Sequence, residues 1–128
     1  MRDMATTIGG IAAIAPAVLS ATTTSPAIDL RGFNSATVFL NTGAIVSAGD
    51  FTAKLQESDT DQGGDFTDVA AANMIGAFPA SLLAASLVKI GYIGPKRFVR
   101  LVTTKNGGTS IAAGATIILG NSRTAPVS

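Results

Sequence analysis

Apolar and polar residues alternate over several short stretches of this chain, which is the pattern of half-buried β-strands. The alternation is most regular over 51–57, where every second residue from Phe51 to Leu55 is apolar and the residues between them are polar. β-Branched and aromatic residues fill 36–41, as in a strand buried within a sheet. Turns rich in Gly, Asn and Asp recur about every ten residues. The pattern predicts an all-β chain.

The predicted strands are short apolar runs bounded by turn residues. They are 8–15, 27–30, 36–41 with a continuation over 44–47 across a bulge at Gly43, 51–57, 66–69, 87–93, 97–104, and 111–119 with a candidate bulge at Gly114. Two hairpins are expected: one joins 51–57 to 66–69, and the other joins 87–93 to 97–104 across the turn at Gly94 and Pro95. This spacing favours an antiparallel β-sandwich or a jelly-roll-like barrel.

A length of 128 residues suits one domain. We place it at 27–120, after an N-terminal arm and link at 1–26 and before a C-terminal tail at 121–128. The arm is small, apolar and contains Pro16, so residues 1–20 are expected to extend from the domain and pack on another chain, not on their own domain. The residues expected to be mostly buried in the domain are Val38, Leu40, Phe51, Leu55, Phe66, Val88, Ile90, Phe98, Leu101, Ile117 and Leu119.

Two stretches have the composition of targeting or membrane segments. The N-terminus has one Arg ahead of a short apolar run, as signal peptides do, but Asp3 cancels that charge and Pro16 interrupts the run. Residues 69–88 contain no charge, but polar residues, Gly76 and Pro79 break up the apolar stretch. We therefore expect a soluble protein without membrane contact.

Charges are separated along the chain although the net charge is only +1. The stretch 50–68 contains six acidic residues and only Lys54 of opposite sign, whereas 89–105 contains five basic residues and no acid. Either the two stretches are neighbours in one sheet and neutralise each other, or the acidic edge of one subunit meets the basic edge of another. The second alternative predicts an assembly interface, and its candidate residues are Lys96, Arg97, Arg100, Asp59, Asp61 and Asp65.

The chain offers little reactive chemistry, since it contains no His, Cys or Trp. Without His or Cys the common nucleophile–base pairs cannot form, so we expect neither enzymatic activity nor a cofactor. The acidic loop 59–65 resembles a calcium-binding loop in its alternating acids, but Ala70 stands where a bidentate glutamate is required, so no metal site is predicted. Five cations without an aromatic stacking surface also argue against nucleic-acid binding.

A resemblance to small proteins encoded by tailed bacteriophages and prophages is carried by three segments, DLRGFNSATVFLNTGAI, GDFTAKLQESDTDQGGDFTDVAA and VKIGYIGPKRFVRLVTTK. Such proteins are often encoded among the head genes, near the major capsid protein, and the similarity covers roughly residues 27–120. The resemblance implies a capsid decoration (cement) protein that is made in the host bacterial cytoplasm and sits on the capsid surface. The implied partners are the major capsid protein and further copies of the chain, as a homotrimer at local three-fold positions.

Other parts of a virion use the same types of β-sandwich. A tail or head–tail connector component that forms a ring is the main alternative, because head-to-tail ring contacts also bring opposed charged edges together. A carbohydrate-binding domain of a spike or fibre is disfavoured, because such sites present aromatic platforms and the chain has one Tyr and no Trp.

Overall fold

The structure, a computed structural model, describes residues 8–122, which form two antiparallel β-sheets. The strands are β1 (Gly9–Leu19), β2 (Thr23–Thr24), β3 (Ile28–Asp29), β4 (Phe33–Val46), β5 (Asp50–Ser58), β6 (Thr67–Asp68), β7 (Met74–Ile75), β8 (Leu87–Tyr92), β9 (Phe98–Gly107) and β10 (Ser110–Ser122). The A sheet has the order β1-β10-β4-β8-β7, and the B sheet has the order β2-β9-β5-β6 with β3 also beside β9. The all-β sandwich predicted from the sequence is confirmed.

The strand order is that of a jelly roll. β2 and β3 both lie beside β9 and share one position, and the two-residue β7 lies outside β8 at the edge of the A sheet, so eight positions remain when β7 is set aside. Numbered by position, the A sheet reads 1-8-3-6 and the B sheet reads 2-7-4-5, which is the interleaved order of two Greek keys. The chain therefore changes sheet at every connection between positions except those of β5 to β6 and of β7 to β8.

Of the two expected hairpins, one is confirmed and one is wrong. β5 pairs with β6, with Gln56 opposite Asp68. By contrast, β8 lies between β4 and β7 in the A sheet, whereas β9 lies beside β5 in the B sheet. Gly94 and Pro95 therefore belong to a crossing between sheets, where no ladder hydrogen bond needs the N–H that proline lacks.

The N-terminal segment is an integral strand. β1 pairs with β10 along its length, and its residues Ala13, Ile14 and Leu19 are buried in the core. The expectation that residues 1–20 pack on another chain and not on their own domain is therefore wrong for β1, because its apolar side chains complete the core of its own sandwich. Residues 1–7 and 123–128, the start of the predicted arm and most of the predicted tail, lie outside the described residues. The domain boundaries at 26 and 120 stay predictions.

Bulges occur in both neighbours of β10. In β4 the register shifts at Gly43, as predicted, because two residues there face one residue of β10. The candidate bulge at Gly114 lies instead in the facing strand β1, where the register shifts between Ile14 and Ala17. A Cβ on Gly114 would lie 3.0 Å from the Cα of Pro16. The absence of a side chain at Gly114 therefore lets the bulge around Pro16 pack closely against β10.

One core fills the space between the sheets, and most of the residues predicted to be buried lie in it. The predicted residues in this core with less than a tenth of their surface exposed are Val38, Leu40, Phe51, Leu55, Ile90, Leu101, Ile117 and Leu119. Phe66 is also buried, as predicted, but outside this core, where its ring stacks on the Arg100 guanidinium. Val88 and Phe98 are only half-buried. In β9 it is Val99, next to Phe98, that faces the core and is fully buried, because side chains of a strand alternate between its two faces.

Two turns meet at one end of the sandwich. Ser47 and Ala48 join β4 to β5 with positive φ angles of 48° and 58°, and Gly49 N–H donates to the carbonyl of Val46. Gly108, with a φ of 71°, joins β9 to β10 directly beside this turn. A Cβ on Gly108 would collide with the backbone of Ala48, so the two crossings pack backbone against backbone.

Candidate functional site

Two of the predicted interface cations form ion pairs within the chain. The Lys96 ammonium lies 2.9 Å from Oδ2 of Asp59, and this hydrogen bond raises the pKa of Lys96. The Arg97 guanidinium donates two hydrogen bonds, of 3.0 and 2.8 Å, to the two carboxylate oxygens of Asp29. The pair with Arg97 lowers the pKa of Asp29. Asp29 was not among the predicted interface residues, since it precedes Arg97 by 68 positions.

Arg100 occupies the outer face of the B sheet. Its Nε donates to Oε1 of Gln56 at 2.8 Å, and its guanidinium stacks 4.4 Å from the ring centre of Phe66. Beside it, Lys54 pairs with Asp68 at 3.2 Å, and hydrogen bonds from Gln56 and then Lys54 lower the pKa of Asp68. This face is therefore a network of polar cross-strand contacts.

The three predicted acidic residues belong to the loop between β5 and β6. The hydroxyl of Thr60 donates to Oδ2 of Asp65 at 2.7 Å and closes the loop. Asp59, Asp61 and Asp65 are all exposed, and among them Asp59 is the partner of Lys96. Among residues 8–122 no cluster of three or more acidic side chains is arranged to hold a metal ion.

The acidic and basic stretches are neighbours in the B sheet, because β5 pairs with β9 along its whole length. This is the arrangement that the first alternative expects, and it brings Asp59 to Lys96 and Gln56 to Arg100. The exposed sides of these groups remain open to a second subunit. The assembly interface made by the six predicted residues therefore stays a prediction.

A buried polar contact joins the two sheets beneath these ion pairs. The hydroxyl of Tyr92, on β8, donates to Oε1 of Glu57, on β5, at 2.7 Å, and both residues are less than a tenth exposed. The same hydroxyl accepts a hydrogen bond from the backbone N–H of Lys96 at 3.1 Å. Burial, then the bond to the Glu57 carboxylate, raises the pKa of Tyr92 far above its ordinary value. The contact holds the β8–β9 crossing against the B sheet.

The raised pKa of Tyr92 predicts a loss of stability at alkaline pH. In the unfolded chain the tyrosine ionises near its ordinary pKa of about 10, whereas the folded state keeps the proton to higher pH. The free energy of unfolding is therefore expected to be at its full value below pH ~10 and to fall as the pH rises through the folded pKa. Urea titrations between pH 8 and 11 measure the slope of the free energy of unfolding against pH. Because Tyr92 is the only tyrosine, Tyr92→Phe should flatten it, and an unchanged slope would contradict the assignment.

The outer face of the A sheet differs strongly from that of the B sheet. The strands of the A sheet carry a single charged residue, Lys89, whereas those of the B sheet carry seven. Several large apolar side chains in or beside the A sheet are exposed, with Leu87 at 61% and Val18 at 68%. An apolar groove of about 730 Å³ crosses this face between β1 and β8. This face was not predicted, although the small uncharged residues of β10 and β1 are its signal in the sequence.

A smaller cleft of about 480 Å³ lies at the β8–β9 crossing. Arg31, Lys96 and Arg97 line it, but two of these cations are already paired with carboxylates. The cleft is therefore close to neutral and shows no arrangement of nucleophile and base. In residues 8–122 there is no helix of the length and apolarity needed to cross a membrane.

No protein-family model matches the chain, and no curated protein matches it. Solved structures do share its fold. The SPBc2 prophage-derived protein YomS aligns with a TM-score of 0.58 and 13% identity, over 88% of this chain and 91% of that chain.

Two structures from infectious bursal disease virus also align. One is the structure of the Gx strain, with a TM-score of 0.51, 16% identity and 93% of this chain covered. The other is the VP2 subviral particle, with a TM-score of 0.55, 15% identity and 90% of this chain covered. The chain spans about a third of these two viral chains, 34% and 32%. At such identities the likeness shows a common fold.

Proposed function

We propose that this chain is a structural protein of a virion, and specifically a capsid decoration protein of a tailed bacteriophage or prophage. It binds the lattice of the major capsid protein on the capsid surface and stabilises the head. The observation that carries this proposal is the contrast between the two outer faces of the sandwich. The outer face of the A sheet is apolar, and Lys89 is the one charged residue in its strands. The outer face of the B sheet is a network of charged and polar contacts.

Such a two-faced domain suits a protein that attaches to a shell by one side and meets water with the other. A contiguous exposed apolar surface is rare on proteins that stay alone in solution, and it usually marks an interaction site. The A sheet supplies an apolar surface of this kind, crossed by the groove between β1 and β8. The B sheet supplies a charged and polar surface compatible with solvent, on which Lys54, Gln56 and Arg100 have partners within the chain.

The structural likeness supports a particle protein. The fold is shared with a prophage-derived protein over nearly the whole of both chains, and with two virus structures over nearly the whole of this chain. The chain would be made in the host bacterial cytoplasm and act without enzymatic activity. Association of copies as a homotrimer, which the sequence resemblance implies, stays a prediction.

The copy number in purified virions tests the proposal. Quantitative mass spectrometry against the major capsid protein should find this chain in numbers comparable to the capsomers of the shell. The copy number of a single ring would instead support the tail or connector alternative. Absence of the chain from purified virions would overturn a structural role.

Substitutions on the two faces test which one attaches. Leu87→Glu with Thr116→Glu places two charges on the exposed A-sheet face and should abolish binding to shells that lack the protein, because the charges would be buried against the capsid. The matched control is Thr67→Glu with Asn106→Glu, two exposed positions on the B sheet, which should bind like the unchanged protein. Equal loss in both variants would refute attachment through the A sheet.

Charge reversal at Arg97 and Arg100 tests the predicted charged interface. If these residues meet an acidic neighbour, Arg97→Glu with Arg100→Glu should weaken assembly at low salt by at least about tenfold. Charges at the rim of an interface act mainly on the rate at which the partners associate. The melting temperature should change little, because the Arg97–Asp29 ion pair is exposed and such pairs contribute little to folding. The loss of assembly should be smaller at 1 M salt, where the electrostatic screening length falls to roughly 3 Å.

Lys54→Glu is the matched control for this reversal, because Lys54 forms the same kind of exposed pair on the same sheet with Asp68. It should leave assembly unchanged. A clear fall in melting temperature together with normal assembly would show that Arg97 and Arg100 only balance charges within their own chain.

A further inference from the structure

The free edge of β1 is the long open strand edge among residues 8–122. β1 has eleven residues, and within this part of the chain it pairs on one side only, with β10. No other backbone hydrogen bond within residues 8–122 reaches it. An exposed strand edge of this length presents a row of unpaired N–H and C=O groups, which is a template for pairing with another chain.

The other sheet edges are closed in the ways that proteins use to avoid such pairing. The A sheet ends on its far side in β7, and the B sheet ends in β2 and β3 on one side and β6 on the other, each only two residues long. The part of β8 that extends beyond β7 carries Lys89, and the part of β5 that extends beyond β6 carries Lys54. Short edge strands and lysines are both devices that discourage edge pairing.

β1 is long and uncharged, and its protection consists of Pro16 and two irregularities in its register, between Ala12 and Ile14 and between Ile14 and Ala17. The sequence contains no charged residue from position 4 to position 28. The side chains of Ile11 and Val18 are exposed near its two ends, at 37% and 68%. An uncharged, apolar edge is therefore available for a partner strand that is itself uncharged.

We propose that β1 pairs antiparallel with β1 of a second copy of this chain, so that the two A sheets become one continuous sheet. Among the edges described, only another β1 is long and uncharged enough to match β1, so the contact is between identical strands. Two identical antiparallel strands are related by a two-fold axis, which is the commonest symmetry of homo-oligomers. No like charges face each other across this axis, because β1 has none.

The pairing predicts a dimer, where the sequence resemblance implies a trimer. Sedimentation equilibrium of the purified full chain measures this directly. The unchanged protein should be dimeric, and Ile11→Lys with Val18→Lys should weaken the dimer by about 100-fold or more, because each dimer would then hold four lysines at the paired edge. The control Ile75→Lys with Ile93→Lys makes the same change at positions that are 64% and 59% exposed, at the opposite edge of the A sheet from β1, and should remain dimeric.

Hydrogen exchange provides a second measurement that does not depend on the variants. Amides of β1 should exchange more slowly in the concentrated, dimeric protein than after dilution to monomer, while β7 and β6 should show no such difference. A monomer at every concentration, a trimer, or a dimer with unprotected β1 would each overturn the pairing. Because the readouts are mass and amide protection without capsids, failure here is separable from failure of capsid binding.

Discussion

Gly108→Ala is expected to destabilise the domain by about 4 kcal/mol. A Cβ at this position would collide with the carbonyl of Ala48 and lie 2.5 Å from the backbone N of Gly49. Backbone atoms of a second turn cannot move aside as a flexible side chain can, and such overpacking costs about 1–3 kcal/mol or occasionally more. The positive φ of 71° adds a cost of about 1 kcal/mol for any residue with a Cβ.

The neighbouring glycine provides the control. A Cβ on Gly107 would meet no atom within 4 Å, so Gly107→Ala should be nearly neutral or stabilise slightly, by up to about 1 kcal/mol, through the lower entropy of the unfolded chain. Urea denaturation of both variants gives the two free energies. Similar values for Gly107→Ala and Gly108→Ala would show that the β4–β5 and β9–β10 crossings are not packed against each other.

Local patterns predicted the strands and most of the core, because period-two alternation depends only on neighbouring residues. The alternation from Phe51 to Leu55 describes β5 correctly, and Ile90 of β8 is buried as predicted. Phe98 was wrongly placed in the core together with Leu101, although residues three apart on a strand face opposite sides and the alternation of Val99, Arg100 and Leu101 indicates the observed phase.

The pairing of strands could not be predicted in the same way. A short Gly-Pro connection between two apolar strands fits a hairpin and a crossing equally well, and the choice depends on which distant strands are available. In the fold β8 pairs with β4 and β9 pairs with β5, both far away in sequence. The role of β1 was missed for the same reason, because its partner β10 lies a hundred residues later.

The charged site was predicted in part. Opposite charges on 50–68 and 89–105 pointed to their contact, whereas the pair of Arg97 with Asp29 had no local signal. The Glu57–Tyr92 contact did have a local signal in the sequence. Glu57 continues the inward phase of Phe51 and Leu55, and Tyr92 continues that of Ile90, so two polar residues were both due to face the core. Buried polar groups require partners, and these two satisfy each other.

Tyr92→Phe is expected to destabilise the domain by about 3 kcal/mol although it removes a single oxygen atom. The hydroxyl of Tyr92 makes the one hydrogen bond that the described residues give the buried Glu57 carboxylate. A buried group left without its partner loses its full solvation, which costs about 1–3 kcal/mol and more for a charge. The backbone N–H of Lys96 would lose its acceptor in the same variant.

Removing both partners should cost less than removing the tyrosine hydroxyl alone. Glu57→Met replaces the carboxylate with an apolar side chain of similar length, so the double variant Tyr92→Phe/Glu57→Met leaves no charge unpaired between the sheets. Exchanging both groups of a buried pair for apolar ones is close to neutral, and we expect a net loss of only about 1 kcal/mol. A double-mutant cycle from urea denaturation at pH 7 should then show strong coupling between the two positions. Additive losses, or a loss well below 1 kcal/mol for Tyr92→Phe, would mean that the Glu57 carboxylate has another partner and that the contact does not hold the sheets together.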